Sequence, residues 1–328
     1  METIRWGILG TGNIAHKFAQ AILQAEGATL QAVASRTEAK AKDFANQYDI
    51  NTAHSSYEML AQNKDIDVVY IATPHGRHKE DAILCLEGGR HVLCEKAFAL
   101  NLSELEDILA VAKREDRFIM EAIWTRFHPN FEQVMSLVEK DEIGEVKLIR
   151  ADFGFYTPYD EASRLWNPAL GGGSLLDIGI YPLFLALQLL GEPDEIQAFA
   201  HKTALGVDAS MSMQLMYNNG ASAQLYSSFE IDTEIEATVY GRDKRIIMHN
   251  RWHTPAPVSM WQRSTCLDRW EYPEVSGYVY EVLHVNECLR NNLRESPKLS
   301  HDFSRSLVRT MDSIRKLTGI EYSVDSKD

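Results

Sequence analysis

Short apolar runs alternate with amphipathic stretches of helical period up to about residue 122. The run 67–72 is almost continuously apolar and β-branched, which is typical of a strand covered on both faces. Strands that alternate with helices in this way predict a parallel sheet with right-handed crossovers. The predicted strands lie at 4–9, 30–35, 67–72, 91–94 and 118–121, and the predicted helices lie at 14–24, 37–48, 78–87 and 103–113.

Two of these helices also carry start signals. Thr37 precedes the second helix and is a residue type that caps helix N-termini. Ser103 is followed three residues later by Glu106, which is the spacing of a capping box. We therefore expect helices to begin at these two positions.

The hydrophobic pattern changes after residue 122. One predicted helix at 130–139 is followed by segments of imperfect polar–apolar alternation, as in an antiparallel sheet with one covered face. The pair Asn219-Gly220 predicts a hairpin turn, because Asn-Gly adopts positive φ at little cost. The predicted strands lie at 146–155, 195–202, 211–217, 221–230, 234–240 and 245–249, and the closing helices at 278–291 and 303–317.

This change of pattern predicts two domains, 1–122 and 123–328. The fold class is α/β, with an N-terminal doubly wound parallel sheet and a C-terminal α+β domain whose sheet is mostly antiparallel. The length of 328 residues agrees with two domains, because the usual unit is ~100–200 residues.

The net charge and the length of the longest apolar stretch disfavour several classes of partner. With 33 basic and 47 acidic residues the net charge is −14, which disfavours nucleic acid and anionic membrane surfaces. The longest apolar stretch, 174–190, is shorter than the ~20 residues that span a bilayer, so we expect a buried helix. The four cysteines form no C-x-x-C pair and no leader segment precedes the first strand, so we expect reduced thiols in a cytoplasmic protein.

The segment from Gly10 to Ala15 matches G-x-G-x-x-A and lies between the first strand and the first helix. In such a motif the first glycine makes a tight turn and the second lets a pyrophosphate approach the backbone. The helix N-terminus then offers free N–H groups to the phosphates. The context predicts dinucleotide binding by Gly10, Thr11, Gly12, Asn13 and Ile14, against a purely structural glycine turn.

The end of the second strand indicates which dinucleotide is bound. An NAD site usually places Asp or Glu there to hold the ribose 2′-hydroxyl. This chain instead has Ser35 and Arg36, which offer a hydroxyl and a forked guanidinium to a 2′-phosphate. The sequence therefore favours NADP, with NAD as the alternative. The competing interpretation of Arg36 is a solvated residue at a helix start.

Further polar residues follow later strands of the predicted parallel sheet. His75 and His78 follow the third strand, but H-x-x-H without a third ligand is a poor zinc signature, so no metal is predicted. Lys96 ends the fourth strand and is either a surface charge or a catalytic donor. In the apolar stretch 174–190, Asp177 is the only charge and would share a helix face with Tyr181. A helix-dipole carboxylate beside a core tyrosine is the alternative.

Taken together, these residues resemble the glucose–fructose oxidoreductase/inositol dehydrogenase (Gfo/Idh/MocA) family. Its dimeric dihydrodiol dehydrogenases and glucose–fructose oxidoreductase-like sugar enzymes are the most similar branch. The resemblance covers residues 1 to about 190. The family usually has Glu-Lys-Pro where this chain has Ala97, and many polyol dehydrogenases have His where it has Tyr181. The blocks that carry the resemblance are Gly10–Ala15, Ala72–Pro74, Glu95–Lys96, Trp124–Pro129 and Gly171–Tyr181.

The resemblance implies an N-terminal Rossmann domain and an open-faced C-terminal sheet through which two copies dimerise. It implies an NADP-dependent enzyme that transfers hydride between nicotinamide and a carbonyl or hydroxyl of a sugar, polyol or dihydrodiol. Tyr181 or Lys96 would carry the proton, with Lys96 lowering the tyrosine pKa from ~10, and Asp177 would orient Lys96 or the substrate. The cofactor contacts it adds to the glycine motif, Ser35 and Arg36 are Thr73, Pro74, His78, Glu95, Lys96, Trp124 and Arg126.

Two other functions are compatible with the same residues. Some members of the family bind NADP as sensors and perform no chemistry, although these would not need the lysine, aspartate and tyrosine together. A biliverdin-reductase-like enzyme would act on a planar aromatic substrate. The loop at about 155–170, with Tyr156, Tyr159, Arg164 and Trp166, suits either a sugar ring or an aromatic diol.

Overall fold

Two separate β-sheets organise the chain. The computed structural model describes residues 2–273 and 276–325. One compact unit holds the described chain up to Trp124 together with Ser276–Arg305, and the other holds Thr125 to residue 273 and Ser306 to residue 325. The first segment ends close to the predicted boundary at 122, whereas Ser276–Arg305 had been assigned to the second domain.

The first unit contains a six-stranded sheet in which all neighbouring strands are parallel, in the order β3-β2-β1-β4-β5-β6. This is the doubly wound order of dinucleotide-binding folds, and it confirms the predicted fold class. The strands are β1 (Ile4–Leu9), β2 (Ala28–Ala34), β3 (Thr52–His54), β4 (Val68–Ile71), β5 (His91–Glu95) and β6 (Ile119–Ala122). The short β3 was not predicted.

Helices connect these strands, and four of them lie at nearly the predicted positions. They are α1 (Asn13–Gln24), α2 (Glu38–Tyr48), α3 (Tyr57–Ala61), α4 (His78–Glu87) and α5 (Leu102–Arg114), of which the short α3 was not predicted. Thr37 is the N-cap position of α2, as predicted. The capping box predicted at Ser103 and Glu106 is wrong. Asn101 is the N-cap of α5 and accepts a hydrogen bond from the Glu104 N–H at 2.9 Å, while the Leu100 N–H donates to Glu104 Oε2 at 3.1 Å.

The second unit contains an eight-stranded sheet in the order β14-β13-β12-β11-β7-β10-β9-β8. All neighbours are antiparallel except β7 and β10, which are parallel. The strands are β7 (Val146–Gly154), β8 (Glu195–Lys202), β9 (Asp208–Met216), β10 (Ser222–Ser228), β11 (Ala237–Gly241), β12 (Arg245–Met248), β13 (Val258–Gln262) and β14 (Thr265–Trp270). The hairpin at Gly220, with φ +80°, is confirmed, whereas β13 and β14 were not predicted.

One face of this sheet is covered and the other is open. Helix α6 (Pro129–Glu139) precedes β7, and helix α7 (Ile180–Leu190) packs on β7 and β10. Residues Pro168–Leu190 are apolar enough to cross a membrane by length and composition. However, 83% of their most apolar stretch is buried inside the protein, as in the core helix of a globular domain. The expected buried helix is therefore confirmed. On the open face, Phe199 of β8 is 77% exposed.

The C-terminal helices are α8 (Tyr278–Arg290) and α9 (His301–Thr318). Helix α8 packs against α1 of the first unit. The Trp6 indole N–H donates to Asn286 Oδ1 at 3.0 Å, and Arg290 donates to the Gly27 carbonyl at 3.0 Å. These buried and half-buried contacts explain why a segment so late in the sequence completes the first unit.

Candidate functional site

The glycine turn between β1 and α1 has open space where a pyrophosphate would bind. Gly10 has φ +103°, and a Cβ there would lie 3.0 Å from the Ala72 carbonyl oxygen. A Cβ on Gly12 would meet nothing within 4 Å, and α1 begins at the next residue, Asn13. An open approach to glycine backbone at a helix N-terminus fits a pyrophosphate group.

The end of β2 supplies a hydroxyl and a cation beside this turn. Ser35 follows β2, and the Thr11 hydroxyl donates to Ser35 Oγ at 3.4 Å. Arg36 is exposed. Burial raises the pKa of Tyr57, and the charge and hydrogen bond of Arg36 oppose that shift, so the guanidinium lies close to this phenol. Ser35 and Arg36 form a donor set that fits a 2′-phosphate.

The segment after β4 is held in place by buried polar contacts. The Thr73 hydroxyl donates to Asp81 Oδ2 at 2.8 Å, and the half-buried Pro74 comes next. His78 is fully buried, with Nδ1 at 2.8 Å from the Ala97 carbonyl and Nε2 at 2.9 Å from the Thr73 carbonyl. Both ring nitrogens of His78 contact carbonyl groups of the protein itself, so His78 helps to position the segment that follows β4.

Glu95 at the end of β5 is a buried carboxylate. The Tyr70 hydroxyl donates a short hydrogen bond to it. Burial and the charge of Glu95 both raise the pKa of Tyr70. Burial, followed by the charge of Glu95, also raises the pKa of Glu281 on α8 well above its usual range. Glu95 is therefore anchored inside its own unit, where it precedes Lys96.

The loop that carries Lys96 is held by a carboxylate that the sequence analysis missed. Lys96 is half-buried, and its peptide bond to Ala97 is cis. The Phe98 N–H donates to Glu121 Oε1 at 2.9 Å, and the Ser304 hydroxyl donates to Glu121 Oε2 at 3.2 Å. Burial raises the Glu121 pKa to about 7, although the positive charge of Lys96 opposes this shift. The signal in the sequence was a single carboxylate inside the apolar strand β6.

Trp124 and Arg126, the expected cofactor pair, belong to different units. In the first unit Trp124 stacks on Tyr278, with ring centroids 4.1 Å apart and planes within 10°. In the second unit Arg126 is 9% exposed and forms an ion pair with Glu132 at 2.9 Å. Each side chain thus has a defined partner within its own unit.

The glycine run at 171–173 is filled by the protein itself. A Cβ on Gly173, which has φ +117°, would overlap with Oδ1 of Asp208. Asp208 Oδ2 accepts hydrogen bonds from the Ser174 hydroxyl at 2.7 Å and from the Leu175 N–H at 2.6 Å. Burial raises the pKa of Asp208 to about 6. Gly173 therefore makes room for a buried carboxylate of β9.

Asp177 and Tyr181 follow this anchored segment. The single α-helix predicted from Ser174 is interrupted, because Leu175–Gly179 form a π-type turn before α7 begins. Such turns occur often at functional sites. Asp177 is 7% exposed and lies 3.1 Å from Nη1 of Arg164, which belongs to the loop suggested for substrate binding. Tyr181 is also 7% exposed.

A second residue that the sequence analysis missed is His253. Its ring centroid lies 5.5 Å from that of Tyr181 and 4.2 Å from that of Phe153. No motif in the sequence singled it out, because it comes from a loop between β12 and β13. Within residues 2–273 and 276–325 no three His, Cys, Asp or Glu side chains gather as a metal site would require.

Comparison with known proteins identifies relatives over nearly the whole chain. The oxidoreductase family of the Gfo/Idh/MocA type, with an NAD-binding Rossmann fold, matches residues 4–123, and the C-terminal domain of the same family matches residues 131–247. Trans-1,2-dihydrobenzene-1,2-diol dehydrogenase from Danio rerio is 35% identical over 99% of this chain and 99% of its own. The Xenopus laevis enzyme of that name is 36% identical over 97% and 99%.

Solved structures show the same architecture. A 3-ketoreductase from Actinomadura kijaniata, in complex with NADP and TDP-benzene, aligns with a TM-score of 0.87 and 25% identity, covering 97% of this chain and 98% of its own. An aldose–aldose oxidoreductase from Caulobacter crescentus, complexed with glycerol, aligns with a TM-score of 0.87 and 24% identity over the same shares of the two chains. At 24% identity the second likeness is evidence of fold alone.

Proposed function

This chain belongs to the Gfo/Idh/MocA oxidoreductase family, and we propose that it is an NADP-dependent dehydrogenase of a dihydrodiol, sugar or polyol. The observation that carries the cofactor assignment is the donor set at the end of β2, where Ser35 and Arg36 occupy the place of an acidic residue. The open glycine turn at Gly10 and Gly12 would hold the pyrophosphate. The NADP in the Actinomadura structure supports the same choice.

The substrate class follows from the relatives and from the side chains near Tyr181. The full-length relatives are named as dehydrogenases of a trans-dihydrodiol of benzene. Phe153 and His253 form aromatic surface beside Tyr181, which suits a six-membered ring of either kind. A trans-dihydrodiol is the first substrate to test, and sugars are the second.

The reaction divides between the cofactor and the protein. During oxidation the substrate carbon transfers hydride to C4 of the nicotinamide and the hydroxyl releases its proton, which leaves a carbonyl group and the reduced cofactor. Tyr181 takes that proton, or returns it during reduction. The alternative assigns the proton to Lys96, with Tyr181 orienting the substrate. Asp177, held by Arg164, orients hydroxyl groups of the substrate.

Thr73 and Pro74 at the end of β4, together with Glu95 and Lys96 at the end of β5, would contact the cofactor along the edge where parallel strands end. Trp124 and Arg126 would add contacts from their own units. In this assignment His78 acts indirectly, since it ties Thr73 to Ala97. Each proposed contact is tested by replacing that residue alone and measuring the Kd for NADPH.

The open face of the second sheet is the proposed dimer interface. The face combines aromatic and polar side chains, and an exposed sheet face of this kind needs a cover. Its members include Arg150, Phe199, Gln224, Tyr226 and Tyr240. A cytoplasmic location is a separate part of the proposal, and it agrees with the four free cysteines.

The first experiment is a titration with NADPH and with NADH, followed by nicotinamide fluorescence. NADPH should bind about tenfold or more tightly, which corresponds to roughly 1.4 kcal/mol. Equal or reversed affinities would contradict the NADP assignment. Absence of binding by both would contradict the cofactor site itself.

The second experiment tests the chemistry with Tyr181→Phe and Lys96→Met. Each substitution should lower kcat for the active substrate by about 10²- to 10⁴-fold, and Tyr181→Phe should leave NADPH affinity nearly unchanged. Tyr48→Phe, at the C-terminal end of α2, is the matched control and should retain wild-type kcat. Wild-type turnover in either test variant removes that residue from proton transfer. Tight NADPH binding with no turnover of any diol or sugar would indicate a sensor.

A further inference from the structure

Four arginines lie near the amino ends of the parallel strands of the first unit. Arg5 belongs to β1, Arg90 precedes β5 and Arg117 precedes β6. Arg294 follows α8, and its carbonyl accepts a hydrogen bond from the Ile119 N–H at the start of β6, at 3.3 Å. Ligands of such sheets bind beyond the carboxyl ends of the strands. The four arginines therefore lie at the edge opposite to the proposed cofactor site.

Two of these arginines are neutralised by carboxylates. Arg5 donates from Nε and Nη2 to the two oxygens of Asp67, at 3.1 and 2.6 Å. Arg294 donates from Nε and Nη2 to the two oxygens of Asp116, at 2.5 and 2.7 Å. Each aspartate is thus bound at both oxygens by one guanidinium group, in the bidentate geometry that is strongest for such pairs.

The other two arginines, Arg90 and Arg117, have no carboxylate partner in the described part of the chain. Arg90 donates to the carbonyls of Ile66 and Gly88, the latter at 3.3 Å. Arg117 forms neither a hydrogen bond nor an ion pair within residues 2–273 and 276–325, although its Nε is buried. A buried donor without an acceptor is costly, because its hydrogen bonds to water have been lost and not replaced.

His91 adds a third donor to these two arginines. The Phe118 N–H donates to His91 Nδ1 at 2.9 Å, so the neutral ring carries its proton on Nε2. Burial, together with the charges of Arg117 and Arg294, lowers the pKa of His91 to about 4, and the charge of Asp67 opposes this shift. The imidazole is therefore a neutral donor close to positive charge.

The two unpaired guanidinium groups also act on each other. Burial lowers the pKa of Arg90, and the charge of Arg117 lowers it further. A Cβ on Gly89, the residue before Arg90, would lie 3.8 Å from Nη2 of Arg117. Arg117 therefore lies against the loop that carries Arg90 and His91. An anion at this place would offset the repulsion between the two cations and accept their hydrogen bonds.

We propose that Arg90, His91 and Arg117 form a binding site for a phosphate group, separate from the cofactor site. Phosphate suits the site because it carries a charge of about −1.5 to −2 at pH 7 and several acceptor oxygens. Two guanidinium groups and one imidazole N–H supply the matching charge and donors. Inorganic phosphate and the phosphate group of a monoester share this chemistry, and the test distinguishes them.

The test is a calorimetric titration of the whole protein with sodium phosphate and, separately, with glucose 6-phosphate. The ionic strength is held constant, because salt screens such interactions. Each titration is made with and without excess NADPH. At least one ligand should bind with a Kd of about 1 mM or lower. The Kd should be the same with NADPH present, because the cofactor site lies at the other edge of the sheet.

Arg117→Gln should raise this Kd about tenfold or more, since it removes charged hydrogen bonds to the phosphate. Its melting temperature without phosphate should match that of the wild type, because Arg117 has no hydrogen-bond or ion-pair partner among the described residues to lose. Arg114→Gln is the matched control. It makes the same change three residues earlier, where Arg114 pairs with Glu87 and Glu115, and it should bind phosphate like the wild type.

The outcomes separate the proposal from its alternatives. Tighter binding of phosphate identifies the free ion as the ligand, and tighter binding of glucose 6-phosphate identifies a monoester. Absence of binding by both overturns the proposal, as does an Arg117→Gln protein with the wild-type Kd. Binding that disappears when NADPH is added would mean that phosphate had occupied the cofactor site, which also overturns it.

Discussion

The two glycine segments of this protein use the same residue for opposite reasons. At Gly12, between β1 and α1, a Cβ would meet nothing within 4 Å, so the missing side chain leaves room for a ligand. At Gly173, before the π-type turn, a Cβ would overlap with the buried carboxylate of Asp208. Gly12 leaves space that a ligand could occupy, whereas Gly173 makes room for the side chain of Asp208.

The segments next to two proposed catalytic residues, in contrast, share one feature. Each is held by a buried carboxylate. Glu121 holds the backbone after Lys96, and Asp208 holds the backbone before Asp177. In both cases burial raises the carboxyl pKa, to about 7 for Glu121 and to about 6 for Asp208. The segments that carry Lys96 and Asp177 are thus each anchored by a buried acid.

The largest expected effect is on stability, in Gly173→Ala. The substitution places a Cβ against Asp208 in a backbone conformation with φ +117°, and we expect the free energy of unfolding to fall by about 4 kcal/mol. Gly220→Ala is the matched control, because Gly220 has φ +80° but open space around it. It should cost only about 1–2 kcal/mol. Chemical denaturation measures both. Equal losses would mean that backbone strain alone, and not Asp208, requires the glycine.

The dependence of the free energy of unfolding on pH should report the ionisation of Glu121. The pKa of Glu121 in the folded protein, about 7, lies above the usual 4.5. Its contribution to the free energy of unfolding is therefore fully present below about pH 4.5 and is lost as the pH rises through 7. The loss is about 3 kcal/mol in this window. Glu121→Gln keeps an acceptor for the Phe98 N–H and should flatten the curve of unfolding free energy against pH. The exposed Glu139→Gln should leave the slope as it is, and an unaltered slope in Glu121→Gln would contradict the assignment.

The smallest expected effect is on cofactor affinity, in Gly12→Ala. Gly12 has φ −79° and open space, so alanine fits the folded chain, and the melting temperature should change little. The added methyl group enters the space proposed for the pyrophosphate, so the NADPH Kd should rise by about tenfold or more, roughly 1.4 kcal/mol. Gly220→Ala, in the other unit, should bind NADPH like the wild type. A Gly12→Ala protein with unchanged affinity would contradict the proposed phosphate site.

Local patterns predicted much of the fold. The alternation of strands and helices up to residue 122 and the hairpin at Gly220 both appear in the structure. The capping box of α5 was placed too late, because Asn101 offers a start signal of equal quality two positions earlier. Strand β14 was missed, since it is an exposed edge strand without the apolar alternation on which the prediction depends, and its short partner β13 was missed with it.

The residues of the candidate site also fall into two groups, those with a signal in the local sequence and those without one. The residues of the glycine turn, Ser35, Arg36 and Lys96 were predicted from motifs and strand ends, because their proposed roles depend on neighbours in the sequence. Glu121 and His253 were missed, because each matters through a contact with a distant segment. The two carbonyl partners of His78 were not predicted either, since they come from separate segments that meet only after folding.

The sequence by itself determined the class of protein and the kind of cofactor it favours, and it supplied the candidates proposed for proton transfer. These follow from local periodicity and from the chemistry of short motifs, which the chain carries before it folds. The tertiary structure decided what lies opposite each glycine and each buried carboxylate. Packing brings Asp208 to Gly173 and His253 to Tyr181 from other strands and loops, and no local pattern encodes the space that is left between them.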